Sequence, residues 1–503
     1  MIRYLLPLLL PTLLPAAGSQ DCAACHAEIY RRYMATPMAR TSGRAGSGGF
    51  QEKYDHVDFT SPGGSVEYHA KPRSFTFRSG EVQGSRSIDY YIGSGLVGRS
   101  YITAMDGFLF QAPIAYYTAA KQWKLSPGYE HSEELNLVRE VDGACLNCHA
   151  TGVQVLADPP FREPGIACER CHGTGDEHIR TAKASAIVNP AKLDPVRRDS
   201  VCAQCHLPGA VEIAKAGKQA TQYHPGERLS DYVSVFILKD ANREATVNGH
   251  YERLSRSACF RAAKGKLWCG TCHRVHATAA VDYNAQCLTC HTTQSCKAGQ
   301  STNCTGCHMP RLPARTVQHA AFTDHSIPRR PQPLPELPRD VALAPFEGFD
   351  GADRELGLAY ASVALKDNNR AWGMRAFELL SKAPSDLKVD AQLAQLYDRM
   401  GRDQQACRLY AQVYSTAGAD SWAAAVNHGI CLANEGKSEE SIRIWQAALH
   451  QRPALESARV NLAVALFRTG HTAEATSLLK DGLRFNPAST RIAQLLRDMR
   501  PPQ

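Results

Sequence analysis

Seven times this chain places two cysteines three positions apart with a histidine directly after the second. The sets are Cys22, Cys25 and His26; Cys145, Cys148 and His149; Cys168, Cys171 and His172; Cys202, Cys205 and His206. They continue with Cys269, Cys272 and His273; Cys287, Cys290 and His291; and Cys304, Cys307 and His308. Two thiols at this spacing can form thioethers with the vinyl groups of one porphyrin, and the adjoining imidazole then reaches its iron. The motifs hold 14 of the 18 cysteines. Zinc ribbons have no need of the fifth-position histidine. A disulfide framework belongs to small secreted chains, not to one of 503 residues. The sequence therefore predicts seven covalently attached c-type haems, with the seven motif histidines as proximal iron ligands.

Each such iron has a sixth position. A second strong ligand there makes an electron carrier, and an open position makes a place for a substrate. Among the histidines outside the motifs, His178, His250, His276, His319 and His325 are the expected distal ligands, together with Met38 for the first haem. His178 follows Gly173 and Gly175, which allow a turn toward a neighbouring haem. His276 stands three residues after His273 and is read as projecting from the same short helix. Asp324, beside His325, is the expected acceptor that fixes an imidazole tautomer. His56, His69, His131 and His224 are weaker candidates. His428, His450 and His471 are read as ordinary histidines of the C-terminal region.

These sites need elements to hold them. Residues 1–20 have a basic start, an apolar run from Tyr4 to Leu14 and small residues at Ala16, Ala17 and Gly18, as a secretory signal does. The mature protein is expected to be periplasmic or otherwise exported, with no stable membrane span after cleavage. Residues 21–327 form the expected heptahaem unit, made mainly of short helices and loops around stacked haems. A β-rich insertion at about 50–120 is expected within it, from alternating runs such as Ser74–Phe77 and Gly98–Tyr117. From Cys145 to His308 the motif histidines recur every 17 to 67 residues. That leaves little polymer for an apolar core, so the macrocycles are expected to be the core.

Residues 328–350, rich in proline, read as a semi-rigid linker. Over 351–503 the motif vanishes and a 34-residue period appears, with Gly401, Gly436 and Gly470 at intervals of 35 and 34. Small residues before and after each glycine let paired helices approach, which predicts an all-α tetratricopeptide-repeat solenoid with a capping helix at 488–499. Cys407 and Cys431 fall on its helices as small buried residues or as a disulfide. Cys259 and Cys296 are an expected disulfide. The formal charge of +8 is answered by haem propionates. No basic block with interleaved aromatics suggests nucleic-acid binding.

Taken together, the first motif with Met38, the run from Cys171 to His178, and the segment from Cys304 to Pro310 followed by His319 and His325 carry a resemblance. They resemble multihaem cytochromes related to the tetrahaem carrier of ammonia oxidisers, pentahaem nitrite reductase and octahaem hydroxylamine oxidoreductase. In that family a histidine usually stands where Met38 stands here. The Cys-x-x-Cys-Lys motif of the nitrite reductases does not occur, and seven motifs differ from eight. The expectation is an exported heptahaem cytochrome that passes electrons along packed haems. Its repeats would dock redox partner proteins. The alternative is an oxidoreductase acting on a small nitrogen or sulfur oxo-species at one five-coordinate haem.

Overall fold

The structure, a computed structural model, describes residues 18–239, 248–277, 281–292, 303–314, 320–330 and 341–499. Most of the signal region, His319, Cys296 and the proline-rich stretch 331–340 lie outside these residues.

The chain opens with α1 (Ser19–Tyr33), which carries the first motif. Nine strands follow: β1 (Ser42–Arg44), β2 (Asp58–Thr60), β3 (Glu67–Lys71), β4 (Ser74–Ser79), β5 (Val82–Ser87), β6 (Tyr90–Ile92), β7 (Gly98–Met105), β8 (Phe108–Tyr117) and β9 (Gln122–Leu125). They form an antiparallel sheet ordered β1-β6-β7-β8-β9 and another ordered β2-β3-β4-β5. Alternation drives the packing: Phe75 and Phe77 on β4 turn inward while their neighbours face out. They meet Tyr101, Ile114, Tyr116 and Trp123 from the larger sheet in one apolar cluster. Trp123 satisfies its buried indole N–H by donating to the Lys53 carbonyl at 2.9 Å. The tight β7–β8 turn uses Asp106 and Gly107, both at positive φ, the conformation that matches strand twist in a two-residue hairpin. The β unit starts earlier and ends later than the expected 50–120, since β1 and β9 complete the larger sheet.

The middle of the chain is built from short pieces. The helices are α2 (Gly143–Asn147), α3 (Glu169–His172), α4 (Asp176–Thr181), α5 (Pro195–His206), α6 (His250–Ser255), α7 (Ala258–Ala262), α8 (Cys269–Cys272), α9 (Tyr283–Leu288) and α10 (Cys304–His308). Small antiparallel sheets lie among them. β10 (Ala150–Val153) pairs with β11 (Phe161–Pro164), and β14 (Arg311–Pro313) pairs with β15 (Ala321–Thr323). A third sheet runs β12 (Val211–Ala214), β13 (Val233–Leu238), β16 (Leu343–Pro345). β16 corrects the linker reading: residues 343–345 are an edge strand, and Val341, Leu343 and Phe346 are buried.

Between Leu254 and Ala320, no apolar side chain among the described residues is buried. Three of the seven motifs lie there. The described polypeptide of this stretch supplies no core of its own.

The C-terminal region is four antiparallel helix pairs and a cap. They are α11 (Asp353–Asp367) with α12 (Arg370–Leu380), α13 (Leu387–Arg399) with α14 (Asp403–Ala417), α15 (Trp422–Asn434) with α16 (Ser438–Gln451), α17 (Glu456–Arg468) with α18 (Thr472–Phe485), then α19 (Thr490–Asp498). Gly401, Gly436 and Gly470 turn the last three pairs at φ of +68°, +80° and +88°. Gly429 lets α15 press against α16, since a Cβ there would run into the Trp445 indole. Cys407 and Cys431 are joined as a disulfide, so the buried-thiol reading gives way to the bonded one.

The solenoid is fastened to the rest at both ends. Its first helix packs on the β12-β13-β16 sheet, where Leu358 and Tyr360 share a cluster with Phe236 and Leu343. At the far end Phe485 meets Phe110 edge-on at 6.3 Å, and Arg484 pairs with Asp106 at 3.2 Å. Arg452 pairs with Glu140. Between β12 and helices α11 and α13 lies a cleft of about 390 Å³, lined by Glu212, Ile213, Leu358 and Lys388 among others.

Candidate metal centres

Several motifs start on a capped helix. Asp142 accepts from Cys145 N at 3.1 Å, and Asp282 accepts from Asn284 and Ala285 N, each at 3.0 Å. Asn303 accepts from Gly306 N at 3.0 Å. Asp194, followed by Pro195 at the first helical position, caps α5. These caps pin the helices that start the motifs, and α9 and α10 lie where no described apolar side chain is buried. They were readable as N-cap residues before these four motifs.

The motifs interlock. Cys168 N donates to Ser19 Oγ at 3.3 Å, tying the third motif to the first helix. Arg170 donates to the Asn147 carbonyl at 3.1 Å, and Gln204 donates to the Arg170 carbonyl at 3.0 Å. The second, third and fourth motifs are thus laced together. The Cys148 thiol lies 3.9 Å from the Gln204 carbonyl. Asn284 Oδ1 accepts from Thr305 N at 2.9 Å, joining the sixth motif to the seventh. Cys22 is pushed up to about 11 by burial and by Cys168 alongside it.

The histidines meet in pairs. His26 and His178 have ring centroids 6.3 Å apart with planes within 10°. His172 and His276 are 5.8 Å apart, and His273 and His325 are 6.2 Å apart. His206 and His250 lie 5.0 Å apart, and His250 is 4.7 Å from His325. Two imidazoles bound to opposite sides of one metal ion, each at a metal–nitrogen distance of about 2 Å, set their centroids roughly 6 Å apart. Three pairs have that spacing, and each joins a motif histidine to one outside the motifs.

Ring orientation points the same way. The Nδ1 of His172 bonds to the Val188 carbonyl at 2.7 Å, that of His178 to Lys183 at 2.9 Å, and that of His308 to Pro328 at 2.9 Å. His325 does so with Thr323 at 2.9 Å. An Nδ1–H donated to a carbonyl leaves Nε2 with its lone pair free, as a metal ligand requires. His149 Nδ1 is 2.8 Å from Thr41 Oγ1. Burial holds His149 down to about 4 and also lowers His206, His273, His276 and His325, so these rings are neutral near pH 7. Among the described residues no three His, Cys, Asp or Glu side chains gather as a three- or four-ligand site. The paired imidazoles, the open cysteines and the missing core fit a haem-sized group.

Other expected residues sit elsewhere. Met38 is half-buried, its carbonyl accepting from Ile166 N at 3.0 Å, and the ring facing His26 is that of His178. His276 lies beyond the end of α8, not on it, and reaches His172 with Tyr33 edge-on at 6.1 Å. Asp324 does not accept from an imidazole: its carboxylate takes Arg253 at 2.8 Å and Ser326, while His325 uses Thr323. His69 pairs on the surface with Asp58 at 2.6 Å. Cys259 is a free half-buried thiol. His149, His291 and His308 have no stacked imidazole among the described residues.

Motifs of this kind on capped helices, with imidazoles set in opposed pairs, define a c-type cytochrome, a class that binds haem c and works in electron transfer. A family model described as "Cytochrome c554 and c-prime" matches residues 114–173, which run from the end of β8 through the second and third motifs. No curated protein matches the chain. Several solved structures are similar to part of it. A point mutant of MamA is 18% identical over 29% of this chain and 83% of its own, with a TM-score of 0.26. YrrB, titled a TPR protein with an unusual peptide-binding site, is 16% identical over 29% and 76%, at 0.25. PilF of Pseudomonas aeruginosa is 19% identical over 29% and 67%, also at 0.25. Among the described residues no helix is long and apolar enough to cross a membrane.

Proposed function

We propose that the chain is an exported heptahaem c-type cytochrome that carries electrons, with a repeat domain that docks its redox partner. The observation that carries this reading is the opposition of motif and non-motif imidazoles at haem-ligand spacing. Haem c at the seven motifs supplies reversible one-electron transfer, with potentials tuned by axial ligand and burial. The cysteines of each motif hold the edge of the group, and the motif histidine takes the iron. His178 would serve the first site in place of Met38, and His276 the third. His325 would serve the fifth, and His250, closer to its motif histidine at 5.0 Å, the fourth. At these four sites an imidazole on each side would leave no open position for a substrate. Interlocked motif backbones keep neighbouring sites close.

The test is the intact mass of the denatured exported protein, with carbon monoxide added to the reduced native form. Seven haem masses and little carbon monoxide uptake support the carrier. An unmodified mass ends the proposal. Binding at one high-spin site replaces the carrier by the oxidoreductase alternative.

A further inference from the structure

We propose that the buried ion pair between Arg253 and Asp324 is a positioning device shared by two haem sites, holding His250 and His325 in one register. The inference rests on the ligand reading above.

α6 opens with His250 and places Arg253 one turn later, on the same side of the helix. The Arg253 Nε donates to Asp324 Oδ1 at 2.8 Å, and both side chains are 6% exposed. The guanidinium lies over the Phe322 ring, 5.2 Å from its centroid. The same carboxylate oxygen accepts from Ser326 N at 2.8 Å and Ser326 Oγ at 2.6 Å, closing the turn that bears His325. One oxygen atom therefore ties the helix of the first ligand to the turn of the second.

Those two rings are the middle of a row of four. His206 and His250 are 5.0 Å apart, His250 and His325 4.7 Å, and His325 and His273 6.2 Å. The outer rings belong to the fourth and fifth motifs. Both inner elements are short: α6 is six residues long, and β15, before the turn, is three. Removing one partner of a buried pair leaves an uncompensated charge, so the remaining segment moves to find water. Because the pair spans both segments, its loss acts on two irons together. A neighbouring pair provides the contrast. Glu252 and Arg256, 2.6 Å apart, bridge i to i+4 from α6 to the residue that caps it, without spanning to the Asp324 carboxylate as Arg253 does.

The experiment uses the full-length, haem-loaded protein and its Asp324→Asn, Arg253→Lys and Arg256→Gln variants. Haem content is read by mass, spin state by low-temperature EPR, and open sites by carbon monoxide uptake after reduction. In Asp324→Asn we expect all seven haems retained, two low-spin signals lost, and uptake raised by about two equivalents. Arg253→Lys, which keeps the charge and loses the fork, should show the same change in smaller degree. Arg256→Gln should match the parent protein. Unchanged spectra in the first two variants, a change at one haem only, or the same change in Arg256→Gln overturns the proposal. Loss of haem loading in both assigns the pair to folding alone and overturns it too. A parent protein lacking seven haems or imidazole-pair signals would instead remove the ligand reading itself, before any variant is compared.

Discussion

At the level of single residues, the clearest outcome concerns the first site. His178 faces His26 at 6.3 Å, whereas Met38 is anchored through its backbone to Ile166. Replacing His178 by Ala should open one iron, giving about one extra equivalent of carbon monoxide bound by the reduced protein. Met38→Ala should leave the spectrum as it is. The reverse result would restore methionine as the ligand. Why the motifs were readable and their partners less so is a matter of contiguity. Covalent attachment demands neighbours along the chain, so five residues suffice to reveal it. A sixth ligand arrives from any distance, carried by whatever packs behind it. Met38 was nearer His26 in sequence, but the contact of α1 with the third motif brings α4 and His178 across. Asp324 was legible as a charged neighbour of His325; its buried partner Arg253, on another helix, was not.

Among the elements, the repeats were legible because their turns need glycine at positive φ and their crossings need small side chains. Gly429→Val should force α15 from α16 at the Trp445 crossing and cost about 1–3 kcal/mol. A lowered melting temperature would register it, and an unchanged one would show that the crossing has slack. The Cys407–Cys431 bond joins α14 to α15. Its removal by paired serine substitution should cost about 2–4 kcal/mol, measured by denaturant unfolding under non-reducing conditions. β16 escaped the sequence reading for a physical reason. Its Pro345 looks like linker chemistry, yet the strand is at the edge of its sheet, where a missing N–H costs no ladder bond. The first helix pair was faint because Asn368, at φ +53°, does the work that glycine does in the other three.

For the molecule as a whole, the distribution of core predicts what happens without cofactor. The β unit and the solenoid have their own apolar clusters, and residues 255–319 have no buried apolar side chain among those described. Chain produced without haem attachment should be cut by protease within 255–319 and leave two resistant portions. Uniform degradation, or uniform resistance, would contradict this partition. The cleft between the solenoid and β12 adds a pH effect. Glu212 opens onto the cleft, yet the walls around it push its carboxyl from 4.5 up to about 6. A carboxyl raised in the folded state favours the protonated form, so its stabilising effect is complete below the unfolded value. That effect fades as pH climbs from about 4.5 through about 6. Glu212→Gln should flatten this part of the melting-temperature profile, and a profile unaltered by the change would remove Glu212 as its source.

The double fastening of the solenoid, on the β12-β13-β16 sheet at one end and on Asp106 and Phe110 at the other, has a kinetic corollary. A cargo seated on a tethered arm must wait for the arm to swing. A cargo seated on a bracket bolted at two points arrives already at its working distance. If a redox partner docks there as proposed, electron transfer within the complex should be independent of solvent viscosity, because no large body has to sweep through the liquid between capture and delivery.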